Sequence, residues 1–229
     1  MTKDSGDPTG IPASPPCLLH ELDADGAPVV DAEQARDVAR WRKVERERLI
    51  AAREALAPEY RAAQAAAIAR DLDRLLPGGV PIVSLYWPIR GEPDLRSWMH
   101  ALHARGVRVA LPVVVAYGRP LEFREWQPHA RLERGVWKIP YPADGAVVRP
   151  DVAIAPLVGF DGECYRLGYG GGFFDRTLAS LAPPALAIGV GYPDAALPTI
   201  FPQSYDVPMD WIVTGASAPL RRVPAGAGR

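Results

Sequence analysis

Between Arg166 and Arg176 the chain reads RLGYGGGFFDR: four glycines within five positions, bracketed by arginines and followed by two phenylalanines and an aspartate. Glycine loses more conformational freedom on ordering than any other residue, so such a cluster implies a tight turn or bare N–H groups that a ligand approaches closely. Where such N–H groups open a helix they can hold an anion. Arg166 and Arg176 could pair with phosphate oxygens. Asp175, an acid at the same mouth, suits a divalent cation shared with phosphate. Two familiar phosphate loops are excluded. No Gly-Lys-Ser/Thr triplet follows, as a Walker A loop requires, and Phe173 stands where the third glycine of a dinucleotide loop belongs. Composition by itself leaves a plain glycine-rich connector open as the alternative.

The surrounding pattern predicts how this cluster is held. DVAIAPLVGF before it reads as a buried strand, and FDRTLASLA after it as a helix over Phe173–Ala182. Upstream, residues 31–56 and 57–76 read as two helices, with Asp31 capping the first and Pro58 opening the second. Pro77-Gly78-Gly79 stops the second. VPIVSLYWP and VRVALPVVV read as buried strands around a helix in DLRSWMHALHARG, PALAIGVGY as another strand, and DWIVTG as the last. LEFREW alternates, which allows an antiparallel edge. Helices alternating with strands predict an α/β fold: one three-layer α/β/α domain with a central, mostly parallel, mixed sheet. It is expected over residues 31–218, after an extended tail at 1–30 and before a short tail at 219–229.

Net charge is −1, which gives no support to nucleic-acid binding. Cys17 and Cys164 form no CxxC pair and no zinc spacing is present, so a reduced, cytoplasmic setting is expected. His100 and His103 share a helical face without an acid or cysteine to complete a metal set. The opening MTKDSGDPTG has no apolar segment of a secretory signal, and no run reaches the roughly 18–20 apolar residues of a membrane span.

RLGYGGGFFDRTL resembles the signature of the 5-formyltetrahydrofolate cyclo-ligase family, approximately R-L-G-x-G-x-G-Y-Y-D. DVAIAPLVGFDGECYR is similar to the approach that precedes it in the family. LPTIFPQSYDVPMDWIVT is similar to the family's ending, and GEPDL and VWKIPYP to its middle blocks. The likeness runs from about Arg42 to Thr214 in unbroken order. It implies ATP-dependent cyclisation of 5-formyltetrahydrofolate to 5,10-methenyltetrahydrofolate, with ATP phosphorylating the formyl oxygen, N10 attacking the activated carbon, and ADP and phosphate released. Such chemistry relies on positioning and charge neutralisation and needs no protein nucleophile.

Carried onto this chain, the resemblance implies a nucleotide loop of Arg166, Leu167, Gly168, Tyr169, Gly170, Gly171, Gly172, Phe173 and Phe174, with Arg42 and Arg46 touching ATP from the first helix. It implies catalytic roles for Arg166 and Asp175, magnesium on Asp175 and Asp210, and a folate pocket of Trp87, Glu92, Trp137 and Phe173. Plainer readings stand beside these: the tryptophans as core aromatics, Glu92 as a turn acid, Asp210 as a cap, and Arg42 and Arg46 as a solvated helix face. The chain departs from the family pattern at Phe173 and Phe174, where tyrosines are usual, and at Tyr169 and Gly171, where a basic residue is often found. Two rivals therefore stay open: a relative that uses ATP on another small molecule, and a non-catalytic folate- or nucleotide-binding module. Neither nucleic acid nor membrane is an expected partner, and a monomer or weak dimer is expected.

Overall fold

The computed structural model describes residues 32–76, 78–79, 82–216 and 218–223. The expected tail at 1–30, with Cys17, and the Asp31 cap and Pro77 stop lie outside the described residues. Two units are distinguished, Met1–Ala39 and Arg40–Arg229. Of the first, the described residues all belong to the opening of helix α1 (Ala32–Glu54).

The second unit follows the alternation of the sequence. After α1 come α2 (Pro58–Leu75), β1 (Ile82–Ser84), α3 (Arg96–Ala104), β2 (Arg108–Val113) and β3 (Glu122–Trp126). Then come a hairpin of β4 (Leu132–Arg134) and β5 (Pro140–Pro142), β6 (Val147–Val148), β7 (Val152–Pro156), and a second hairpin of β8 (Gly159–Phe160) and β9 (Arg166–Leu167). The described residues end with α4 (Phe173–Ser180), β10 (Leu186–Val190), β11 (Trp211–Val213) and β12 (Leu220–Arg221). Pro58 opens α2, where its missing N–H costs nothing.

The main sheet has the order β12-β11-β10-β7-β1-β2-β3-β6. Its five central strands, β11 to β2, are parallel, and β12, β3 and β6 pair antiparallel at the edges. Side chains of alternate strand residues feed two cores. Val152, Ile154, Ile188 and Val213 pack with Ile68 and Leu72 of α2 and Met99 and Leu102 of α3. Ala155, Ala187 and Ile212, pointing the other way, pack with Leu49 and Ile50 of α1, and Leu178 of α4 borders that core. Two helices on each face of a mixed, mostly parallel sheet give the three layers that the pattern predicts.

Several local expectations are corrected. DVAIAPLVGF is not one strand: β7 leaves the sheet after Pro156, and β8 pairs with β9 instead. DWIVTG is not the last strand, because Leu220–Arg221 pairs antiparallel with β11. Helix α4 ends at Ser180, two residues before the expected Ala182.

The sheet order matters for the site. From β1 the chain moves one way to β2, then resumes on the opposite side at β7 and continues outward to β10 and β11. Between β1 and β7, at their carboxyl ends, lies the topological switch point where open α/β sheets bind ligands.

Candidate functional site

A cavity of about 570 Å³ opens at that end of the sheet. Tyr86 and Trp87 following β1, Pro112 and Val114 at the end of β2, and Pro156 ending β7 form its floor. The glycine loop between β9 and α4 forms one wall, and Glu92 stands in another.

The loop needs its glycines for definite reasons. Gly170 has φ +92° and Gly172, the residue before α4, has φ +61°, both disfavoured for side-chain-bearing residues. A Cβ at Gly171 would meet the Phe173 ring at 2.8 Å, and one at Gly168 the Arg166 guanidinium at 2.7 Å. The backbone is therefore bare where it borders the cavity.

Arg166 lines the cavity while remaining only 7% exposed. Its Nη2 donates to Asp175 Oδ2 at 3.0 Å, and its guanidinium lies 5.2 Å from the Phe174 ring centroid. Its buried Nε has no partner among the described residues. Burial pushes the Arg166 pKa down, while the charges of Asp175 and Asp206 oppose that shift. Asp175 Oδ1 also accepts from the Val207 backbone N–H at 3.3 Å.

The two expected magnesium acids do not share a site. Asp210 directly precedes β11, level with Ala187, whose N–H it binds at 2.9 Å, and it pairs with Arg222. It thus lies toward the amino ends of the parallel strands, about 10 Å along the strand direction from the level of Pro156 and Val190. The acid that lines the cavity with Asp175 is Asp206. Sequence order gave the missing signal: a residue just before a parallel strand sits at its amino end, away from the ligand edge.

Helix α1 supplies three cations from one face. Arg42 is buried, holding Asp206 at 2.5 Å and the carbonyls of Ile200 and Phe201. Its guanidinium clamps the 200–206 loop, so it is no solvated face, although it borders the cavity. Arg46 donates from Nε to the Gly168 carbonyl at 2.7 Å, and burial lowers its pKa. Arg53, seven residues on and missed in the sequence reading, binds the carbonyls of Arg90 and Leu157 and the Tyr169 hydroxyl. Its signal was present in the spacing of 42, 46 and 53, which returns to one helical face. Arg176 does not face the cavity. It donates to the Gly171 carbonyl and covers the Phe173 ring, buttressing the loop from behind.

Glu92 is 5% exposed and lines the cavity. Its carboxylate accepts from the Ile89 N–H at 2.8 Å and from the Tyr169 hydroxyl at 2.9 Å. Burial pushes its pKa up, opposed by these two bonds and by the Arg53 charge. It is therefore a sequestered acid and no solvated turn residue. Trp137 is 57% exposed, which excludes a core role, and meets Phe173 edge-on at 5.7 Å. Trp87 borders both the α2–α3 core and the cavity, with Arg96 over its ring. Leu167 directs its side chain into the core, and Phe173 and Phe174 line the cavity. The cavity is thus lined by every residue expected there except Asp210 and Arg176.

Fold and site define a class: an open α/β protein whose ligand cavity lies at the switch point of its sheet. The family model of the 5-formyltetrahydrofolate cyclo-ligase family matches residues 38–215. A 5-formyltetrahydrofolate cyclo-ligase of Escherichia coli K12 is 32% identical over 139 residues, covering 58% of this chain and 76% of that protein. One from Mycolicibacterium smegmatis is 32% identical over 140 residues, covering 58% and 72%. The NMR structure of Aquifex aeolicus 5,10-methenyltetrahydrofolate synthetase superimposes with a TM-score of 0.69 at 28% identity, over 82% of this chain and 95% of that one. The chain belongs to the 5-formyltetrahydrofolate cyclo-ligase family and is an enzyme.

Proposed function

We propose that this enzyme closes the ring of 5-formyltetrahydrofolate to give 5,10-methenyltetrahydrofolate at the expense of ATP. One observation carries the reading beyond family membership. A single cavity joins a glycine loop with a buried arginine–aspartate pair to a separate buried carboxylate, Glu92. One end thus suits a phosphate and the other a ring that donates hydrogen bonds.

The residues fit ATP and magnesium. Bare loop N–H groups and the start of α4 provide donors for phosphate oxygens, and the Arg166 guanidinium beside them supplies positive charge. Asp175 and Asp206 line the same cavity, and magnesium is commonly bound by one or two carboxylates together with substrate phosphates. ATP supplies the phosphoryl group that turns the formyl oxygen into a leaving group, so that N10 can attack the carbon and phosphate can depart. Magnesium, when bound, neutralises phosphate charge.

The chain's own part is positional and electrostatic. Arg166 is fixed by Asp175 and by the Phe174 ring, so its charge is in place before reaction rather than gathered during it. Glu92 can receive two donors from a folate ring in bidentate fashion, because each of its oxygens keeps a lone pair beyond the bonds described. Phe173, Trp137 and Trp87 offer apolar walls to the ring. Phe173 and Phe174 do this without a phenol hydroxyl, so the aromatic faces carry that part of the site.

The test is direct. Purified protein is mixed with Mg-ATP and 5-formyltetrahydrofolate, and the near-ultraviolet absorbance of the methenyl product is followed. A rise that requires both ATP and magnesium is the expected result. Folded protein that binds ATP without any rise would replace this reading with a relative acting on another substrate. Folate binding without magnesium or ATP turnover would point to a binding module.

A further inference from the structure

We propose that Tyr169, although it lies inside the glycine loop, is a positioning residue for the folate half of the site, its hydroxyl fixing the Glu92 carboxylate. The inference rests on the reading of Glu92 given above and assigns the loop a second task.

The direction of the hydrogen bonds carries the argument. Arg53 Nη2 lies 2.6 Å from the Tyr169 hydroxyl, and Glu92 Oε1 lies 2.9 Å from it on the other side. A guanidinium has donors and no acceptor. The phenol oxygen must therefore accept from Arg53, and its one proton must point at Glu92. Arg53 itself has little freedom to turn, since its Nε and Nη1 hold the Arg90 and Leu157 carbonyls. The result is a one-way chain from a buried cation, through a phenol, to a buried carboxylate. The second Glu92 oxygen is held by the Ile89 N–H. Both oxygens are thus pinned, and the plane in which the carboxylate meets a ligand is set before the ligand arrives.

The same loop serves two partners at adjacent residues. The Gly168 carbonyl is held by Arg46, while the Tyr169 side chain reaches Glu92, 77 positions away in sequence. A tyrosine here accordingly acts differently from a basic residue. A cation at 169 would compete with Arg53, whereas the phenol accepts from Arg53 and donates onward.

Tyr169→Phe tests this, since it removes one oxygen and keeps the ring. A hydrogen bond to a charged group is worth enough that its loss raises the KM for 5-formyltetrahydrofolate roughly tenfold or more. The KM for ATP stays within about twofold. In a Glu92→Gln background the same substitution adds little to the folate KM, because the pinned carboxylate is already gone. Should the phenylalanine variant fail to fold, Tyr169→Gln, which keeps a polar donor, is measured for the same split at smaller size. An ATP KM that rises as much as the folate KM would overturn the inference and make Tyr169 a nucleotide residue. An unchanged folate KM, in a series whose wild type turns over, overturns the inference alone. A wild type without turnover on this folate overturns the proposed function and the inference with it.

Discussion

Replacing Asp175 by alanine tests whether the acid beside the glycine loop does more than meet a metal. Arg166 is 7% exposed, and the carboxylate of Asp175 is the charged group bonded to it, at 3.0 Å. Truncating one partner of a buried pair leaves an uncompensated charge, which costs about 3–5 kcal/mol. The low end applies here, because the charge of Asp206 also acts on Arg166. For a chain of this size about 3 kcal/mol lowers Tm by roughly 6–12 °C. Urea unfolding followed by tryptophan fluorescence measures the loss, and six tryptophans supply the signal. Because Arg166 lines the cavity, sulfate or phosphate ions should restore more stability to the variant than to the wild type. The double variant Arg166→Met with Asp175→Ala should be more stable than Asp175→Ala alone. A single variant within about 1 kcal/mol of wild type, or one that anions do not stabilise preferentially, would refute the reasoning. Loss of turnover alone would then be the acid's whole contribution.

Other outcomes separate the remaining assignments. Asp206→Asn should raise the magnesium needed for half-maximal activity roughly tenfold, whereas Asp210→Ala, distant from the cavity, should leave it unchanged; a magnesium titration of both decides. Gly170→Ala, at φ +92°, should strain the loop by roughly 1–3 kcal/mol and raise the KM for ATP above that for folate, as initial rates would show. Glu92→Gln should flatten the dependence of stability on pH. The folded Glu92 pKa is raised by burial, so its contribution is full below the unfolded value and is lost as pH rises through the folded one. Urea midpoints from about pH 4 to 8 should therefore move in favour of the variant as pH rises.

Long apolar runs and interrupted helices made the layers legible, because a three-layer sheet imposes continuous hydrophobicity on its central strands. LEFREW disclosed its antiparallel pairing through polar residues set among apolar ones, but it is not the edge, because β6 pairs on its outer side. The hairpins β4–β5 and β8–β9 and the strand β12 were not legible, because strands of two or three residues carry no measurable period. Within the site, the glycine loop announced itself by composition. The Arg53–Tyr169–Glu92 chain did not, since its members are separated by 116 and 77 positions and each looks ordinary in its own neighbourhood. Asp210 was assigned from its match to the family's ending, and only the direction of β11 shows that it lies away from the cavity end, where Asp206 stands.

The face of α1 that carries Arg42, Arg46 and Arg53 has a consequence for how the enzyme is made. These arginines are synthesised 104 to 164 positions ahead of Leu157, Gly168, Tyr169, Ile200 and Asp206, the partners that hold them in the finished molecule. At roughly 5–20 residues per second, that interval is on the order of 5–30 s. During it, the helix carries three cations beside Leu49 and Ile50, and of their carbonyl partners only that of Arg90, 37 positions on from Arg53, is made early. Contacts between such distant positions form late and slow the search for the native state. The cavity walls are thus completed by residues between 157 and 206 closing onto α1, so the working site appears only once those residues have been made.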